Sequence, residues 1–536
     1  MPILAESSIR AAISNIEHFG DTDIFPFPLE KIWLADPAGG VFDLLQEIDT
    51  NFDSFITANP LFFITSLAGV GYNGFRAATQ IDPIWNAYLL ALTIEIAPDI
   101  ERARLPTGDR VVFSYRYSPD STTGGLFDNG LGWRPFQTRA LEHAASHRFA
   151  LSTDIADFYP RVYHHRLENA LNSATKKSDV VNRIMRLLGV LSRGVSYGLP
   201  IGGNAARLLA ELVLDRVDRL LTAESVTFCR FVDDYVVFSD TRENALRSLV
   251  VLSDALLRNE GLTLARAKTR LMTNTELTKA SQFAPPDTGA SSEEAEARRF
   301  LRIRWKYDPY SSTAEEDYEE LMDEVARFDV LAMLAREFEK TRVDEALVKQ
   351  LIRSIKYLQA PVRDRAVTSI ANNLNTLYPV FPTVAIALKA LLPDISEPVR
   401  THLFGELRRL LREGSHIFLV PTNRVYVVRL LAFDDDREAE RLLSDLYFDK
   451  RADPMVRRDV IYAMAHRDAR YWLSDILKRP HEGPWELRAR LAASYRLGDE
   501  GKHWRRQIER RLPRIESQFL RWLGGMNNGV EWEIPL

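Results

Sequence analysis

The stretch Phe228-Cys229-Arg230-Phe231-Val232-Asp233-Asp234-Tyr235-Val236-Val237-Phe238-Ser239 decides the fold. Two apolar runs rich in aromatic and β-branched residues flank a pair of acids. That pattern predicts a β-hairpin with both carboxylates at its tip. Adjacent carboxylates repel and are costly to group. A bound divalent cation is the usual physical reason to do so, and Mg²⁺ takes a few carboxylates while leaving its other positions to water and substrate phosphate. A lone Asp-Asp is common in turns, so specificity has to come from its surroundings.

Upstream, Phe149-Ala150-Leu151-Ser152-Thr153-Asp154-Ile155-Ala156-Asp157-Phe158-Tyr159-Pro160 runs an apolar strand into Asp154. Asp154, Asp233 and Asp234, brought from two neighbouring strands, can hold two metals about 3.5–4 Å apart, the arrangement used in nucleotidyl transfer. Between them lies Tyr197-Gly198-Leu199-Pro200-Ile201-Gly202-Gly203-Asn204, a glycine loop that opens a long apolar helix. Glycines such as Gly202 let backbone approach a base or sugar closely, and a helix start favours anionic groups. Downstream, Gly261-Leu262-Thr263-Leu264 leads to Lys268-Thr269. A lysine there can meet a triphosphate or protonate a leaving pyrophosphate; standing alone it would be an ordinary solvated lysine.

The 536 residues predict two to four domains. A 46% hydrophobic content excludes extended disorder as the main state. A single cysteine, Cys229, excludes an internal disulfide framework and a Cys-based zinc site. The 69 Lys and Arg against 74 Asp and Glu give a charge of −5, which argues against a surface coated with phosphate-binding groups. The N-terminus lacks a basic stretch followed by an apolar core, so no signal peptide is expected. No apolar run is long enough to span a membrane, which predicts a soluble, cytoplasmic protein. The apolar stretch Asn59–Val70 is expected to be buried core.

The first half mixes short strands, including Val111–Tyr115, with helices. Pro, Gly and Ser cluster between Gln282 and Ser292, which predicts a loop and a domain boundary. Beyond about Ser312 the pattern is helical, with apolar residues at three- and four-residue spacing, as in Leu331, Leu334 and Phe338. Pro361, Pro398, Pro454 and Pro484 open helices at irregular intervals. That suits degenerate two-helix repeats of the HEAT kind, with an ordinary helical bundle as the alternative.

In chain order, the four blocks Asp154–Tyr159, Gly198–Gly203, Phe231–Asp234 and Gly261–Thr269 resemble motifs A, B, C and D of the reverse transcriptase palm. The resemblance implies that Asp154, Asp233 and Asp234 bind two Mg²⁺ ions, with Mn²⁺ as the alternative, and that Ile155 lends a backbone carbonyl. It implies that Tyr159 abuts the sugar and excludes a 2′-OH, and that Lys268 is the motif D lysine. Arg110-Val111-Val112-Phe113-Ser114-Tyr115-Arg116 resembles the fingers strands that grip the triphosphate, with Arg116 favoured over Arg110. Motif C departs by starting with Phe231 where many reverse transcriptases have Tyr. Motif B carries Ile201 where templated retroviral and intron enzymes usually carry Gln. No short thumb follows the palm.

This combination, with the junction Arg302–Ser311, resembles the abortive-infection (Abi) reverse transcriptases, a group that includes AbiK and its prophage-borne relatives. The implied fold is α+β: a fingers and palm domain at 1–290, then an all-α HEAT-like helical repeat domain at 291–536 in place of a thumb. The implied function is bacterial antiphage defence by a homo-oligomer, a trimer or hexamer. It would join dNTPs without a template and attach the first one to a protein side chain, leaving single-stranded DNA covalently bound. The priming residue is open, with Tyr72, Ser7 and Ser8 as candidates. Two alternatives stand beside this reading: a templated, primer-dependent RNA-directed DNA polymerase, and an inactive palm serving as a scaffold. The near-neutral charge favours the untemplated reading, because long duplexes are held by many Lys and Arg contacts.

Overall fold

The computed structural model describes residues 2–22, 24, 27–72, 74–280, 292–303, 321–526 and 533–536. The expected boundary at 290/291, nearly all of the Gln282–Ser292 loop and the junction from Arg304 onward lie outside the described residues. The chain divides into two compact units. The first takes Met1–Thr65, Ala78–Ala284 and Leu512–Gly525; the second takes Ser66–Ala77, Pro285–Arg511 and Met526–Leu536.

Strands β1 (Phe63–Gly69) and β2 (Phe75–Ile81) form a two-stranded sheet, as do β3 (Tyr117–Asp120) and β4 (Gly125–Phe127). The main sheet of the first unit has four strands: β5 (Phe149–Asp154), β6 (Thr227–Phe231), β7 (Asp234–Ser239) and β8 (Arg270–Thr273). Their order is β6-β7-β5-β8, and every pairing is antiparallel. Alternate residues face opposite sides of such a sheet. On one side Ala150, Cys229, Val236 and Phe238 bury against Phe113, Phe136 and Ala140, the last two from the helix Trp133–Ser146. On the other, Arg230 and Tyr235 reach Asp218 of the helix Asn204–Ala223. Both faces are covered, which is why the β7 core reads as an unbroken apolar run.

Two expectations fail locally. Asn59–Val70 is not buried core: it supplies β1, and Leu67 and Val70 are 53% and 52% exposed, because a two-stranded ribbon leaves its faces largely open. Val111–Tyr115 is not a full strand. It makes one parallel bridge, Val112 to Arg230, before Tyr115 turns to a φ of 43° and ends the extended run.

The C-terminal segment of the first unit is the helix Arg514–Met526 up to Gly525. Its Phe519 packs edge-on against Trp33 at 5.0 Å, and Trp522 donates to Asp36 at 2.9 Å. Arg514 pairs with Glu47 at 2.9 Å.

From Val330 to Ile508 the second unit is a succession of helices. Each of several packs on the helix two places along: Ala360–Asn372 on Glu397–Arg412, Phe381–Leu391 on Pro421–Leu431, and Pro454–His466 on Gly483–Ala493. Pro361, Pro398, Pro454 and Pro484 all occupy first-turn positions, where the missing N–H costs nothing. Among the described residues no helix is long and apolar enough to cross a membrane.

Candidate active site

Asp154 ends β5 and Asp234 opens β7, and the two face each other in register. Asp233 lies on the two-residue turn Val232–Asp233 closed by the pair Phe231–Asp234. The N–H of Ile155 donates to the Asp233 carbonyl at 3.1 Å, which ties the two segments together beyond their strands. The Asp154 carbonyl accepts from Ala265 at 2.7 Å, bringing in the loop that carries Lys268.

Val232 has a φ of 54°. This left-handed conformation is a genuine outlier for a β-branched residue, and such strain persists only where the surroundings over-determine it. Arg230 Nη1 donates to the Val232 carbonyl at 2.7 Å, and the Val232 N–H donates to Ser114 Oγ at 2.8 Å. Arg230 is fully buried. It pairs with Asp218 at 2.6 Å and Glu211 at 3.1 Å. Ser114 donates to Glu211 at 2.5 Å, and Arg104 joins Glu211 at 2.7 Å. A buried ionic lattice therefore holds the acid-bearing turn from beneath.

Electrostatically, among the described residues, the three acids outnumber the one ammonium, Lys268, that reaches them. Burial, then the charges of Asp154 and Asp234, push the Asp233 carboxyl up to about 7. Burial and Asp154 push Asp234 up to about 6. The Lys268 ammonium touches the Asp154 carboxylate, and that hydrogen bond holds it above the ordinary lysine range. Among the described residues no three His, Cys, Asp or Glu side chains converge as a metal cage; Lys268 already occupies one Asp154 oxygen. The donors present are carboxylate and backbone oxygens, the set that suits hard cations such as Mg²⁺ or Mn²⁺. The under-neutralised acids are what such a cation would relieve, so the residues fit a divalent metal.

The glycine loop is tied to the segment that carries Tyr159. Gly198 and Gly202 have φ of 98° and 127°, backbone that glycine adopts at little cost. Leu199 N–H donates to the Tyr159 carbonyl at 2.9 Å. Burial, then Tyr115 and Glu211, hold the Tyr159 phenol well above its usual range, and Asp233 lies within electrostatic reach. Tyr159 thus stands between the acids and the glycine loop.

Residues 113–304 match the family model for reverse transcriptase (RNA-dependent DNA polymerase). The chain contains a reverse transcriptase domain. No curated protein matches the chain. Among solved structures it overlaps apo telomerase from Candida tropicalis at 10% identity and a TM-score of 0.29, covering 68% of this chain and 74% of that one. It also overlaps telomerase from Candida albicans in complex with a TWJ fragment of telomeric RNA, at 9% identity and a TM-score of 0.30, covering 69% and 68%. Both overlaps are loose.

The reverse transcriptase domain gathers Asp154, Ile155, Asp233, Asp234 and Lys268 at one sheet end, with Tyr159 beside them. It does not present Arg116 to a triphosphate. Arg116 is buried, donating to Glu101 Oε1 from Nε at 2.7 Å and to the Leu105 carbonyl at 2.8 Å, so it holds the segment to the helix Pro83–Ala103. Arg110 is half exposed, 3.8 Å from Glu142. Of the priming candidates, Ser7 is exposed, while Ser8 is buried and donates to Glu95 at 2.5 Å. Tyr72 belongs to the second unit, where its hydroxyl donates to the Thr376 carbonyl at 2.5 Å and accepts from Val343 N–H at 3.2 Å.

Sequence reasoning missed Tyr115 and Arg207 as neighbours of Tyr159; the Arg207 guanidinium lies 5.3 Å over the Tyr115 ring. It also missed the lattice under the turn. A signal was present: Glu211, Asp215 and Asp218 repeat at helical spacing among the apolar residues Leu208, Leu212, Leu214 and Val217, and acids so placed need a buried cation.

Proposed function

We propose that this chain is a bacterial antiphage DNA polymerase of the abortive-infection reverse transcriptase kind, joining dNTPs without a template onto one of its own side chains. The observation that carries the polymerase reading is the facing of Asp154 and Asp234 with Asp233 on the intervening turn. When bound, two Mg²⁺ or Mn²⁺ ions on these residues and the Ile155 carbonyl supply Lewis acidity to the attacking hydroxyl and the triphosphate. The hydroxyl oxygen forms a bond to the α-phosphorus, the bond to pyrophosphate breaks, and the hydroxyl proton leaves to solvent. Lys268 is placed to stabilise or protonate the leaving pyrophosphate, Tyr159 to exclude a 2′-OH, and Gly202 to admit the nucleotide closely. Arg110 is the exposed fingers cation.

Untemplated synthesis is supported by the charge of −5 and by Ile201 in motif B. Helices that pack two places along, many opened by proline, support a HEAT-like repeat reading of the second half. The division at 290/291, a cytoplasmic location, a trimer or hexamer, and priming from Ser7, Ser8 or Tyr72 complete the proposal.

Purified protein with Mg²⁺ and labelled dNTPs, without template or primer, tests it. Label that stays with protein until protease digestion is expected, and Asp233→Asn with Asp234→Asn should abolish it. Product only with added template and primer would favour a templated enzyme. No product under any condition would leave a scaffold.

A further inference from the structure

We propose that the rings of Tyr163 and Tyr197 form a stacking platform for bases of single-stranded nucleic acid, beside the active site. The proposal rests on the polymerase reading above and adds a strand-binding site to it. The two rings lie 5.3 Å apart at 37°, on residues joined by an isolated antiparallel bridge. Tyr197 is 55% exposed and its neighbour Val195 is 60% exposed. Exposure alone does not mark a site; what sets Tyr197 apart is that its open ring is paired with a second ring on the bridged segment.

The backbone under the rings is fixed. Gly198 N–H donates to the Val162 carbonyl at 2.9 Å, and His164 N–H donates to the Ser196 carbonyl at 3.0 Å. The buried His164 imidazole Nε2 bonds the Gly198 carbonyl at 2.8 Å. The same loop runs on to Leu199, which bonds Tyr159, so the platform adjoins the proposed sugar contact. Rings held this way lose little freedom on binding.

The surrounding charge suits a phosphate backbone. Arg193 is exposed, lies 5.6 Å over the Phe63 ring and has no ion pair among the described residues. Arg161 is 60% exposed, and its Asp157 partner stands 3.7 Å away in an exposed pair, the weak kind. His165 stands edge-on to Tyr163 at 6.2 Å. Aromatic faces beside basic groups are how single strands are held without sequence readout.

Fluorescence anisotropy with a labelled oligomer of twelve thymidines tests the platform. Tyr197→Ala and Tyr163→Ala should each weaken binding about tenfold, whereas Tyr197→Phe, which keeps the ring, should bind as wild type. Tyr471→Ala, at a tyrosine 94% exposed in the second unit, should have no effect. Wild-type affinity in both alanine variants would overturn the proposal. Oligomers of 5-iododeoxyuridine and of 5-iodouridine separate DNA from RNA; crosslinks should map to Tyr163 or Tyr197, and crosslinks confined elsewhere would also overturn it. Failure of dNTP incorporation by wild type, with ring-dependent binding intact, would instead strike the polymerase reading.

Discussion

Arg230 and Val232, two residues apart on one hairpin, are joined by a 2.7 Å hydrogen bond from guanidinium to carbonyl. The same guanidinium neutralises Asp218 beneath the sheet. The acid-bearing turn is therefore held by a cation that is itself fully buried. Arg230→Gln leaves Asp218 buried and unpaired, a change that costs about 3–5 kcal/mol. Denaturant titration should show that loss. Adding Asp218→Asn should restore part of the stability while leaving kcat low, because the Val232 carbonyl still lacks its charged donor. Full recovery of kcat in the double variant would count against the positioning role.

The acids make stability depend on pH. Asp233 and Asp234 titrate near 7 and 6 in the folded chain, against about 4 when unfolded. Folded pKa values raised in this way contribute stability that is full below about pH 4 and lost as pH rises through 6 and 7. In EDTA, Tm should fall between pH 5 and 8, and Asp233→Asn should raise Tm at pH 8 more than at pH 5. Mg²⁺ should stabilise more at pH 8 than at pH 5. A pH-independent Mg²⁺ effect would contradict the charge deficit.

A divalent cation bound at these acids would compete with Lys268 for the Asp154 carboxylate. Lys268→Met should lower Tm in EDTA at pH 8 and tighten Mg²⁺ binding, read by calorimetry. If Lys268 also protonates pyrophosphate, kcat should fall by about 10²–10⁴. Unchanged Mg²⁺ affinity would show that the ammonium yields no ground to the metal.

Tyr159→Ala opens the space beside the glycine loop. Use of rNTP relative to dNTP should rise about tenfold or more, measured as a ratio of kcat/KM values. An unchanged ratio would remove Tyr159 as the sugar gate.

Tyr72→Phe deletes the hydroxyl that joins Thr376 and Val343. Net loss of such bonds costs about 1 kcal/mol, visible by thermal unfolding. Protein-linked label should persist in this variant if Ser7 or Ser8 is the acceptor; its loss with the fold intact would assign priming to Tyr72.

The palm was legible because its chemistry and its strand pattern coincide. Phe149–Asp154 and Phe228–Ser239 had to be strands, and the acids between them had no cheaper explanation than a metal. Lys268 was placed by its loop, and the proline-opened helices by the first-turn rule. Arg116 misled because an arginine in a fingers-like segment reads the same whether its partner is a triphosphate or Glu101. Arg230 was overlooked because a lone charge in an apolar strand gains meaning only once Asp218 and Glu211 are known to lie beneath it. Leu67 and Val70 misled because apolarity predicts burial, whereas a two-stranded ribbon has too few neighbours to provide it.

The helix that packs Phe519 and Trp522 against Trp33 and Asp36 comes from the far end of the chain. During synthesis the first unit must wait, with the Trp33 surface uncovered, until residues 512–525 have left the ribosome. The polymerase core thus reaches its final form only after the helical half has been made. Shortened products, from nonsense mutation or stalled translation, would release a palm that is incompletely closed. Such an order of assembly ties the closing of the palm to synthesis of residues 512–525.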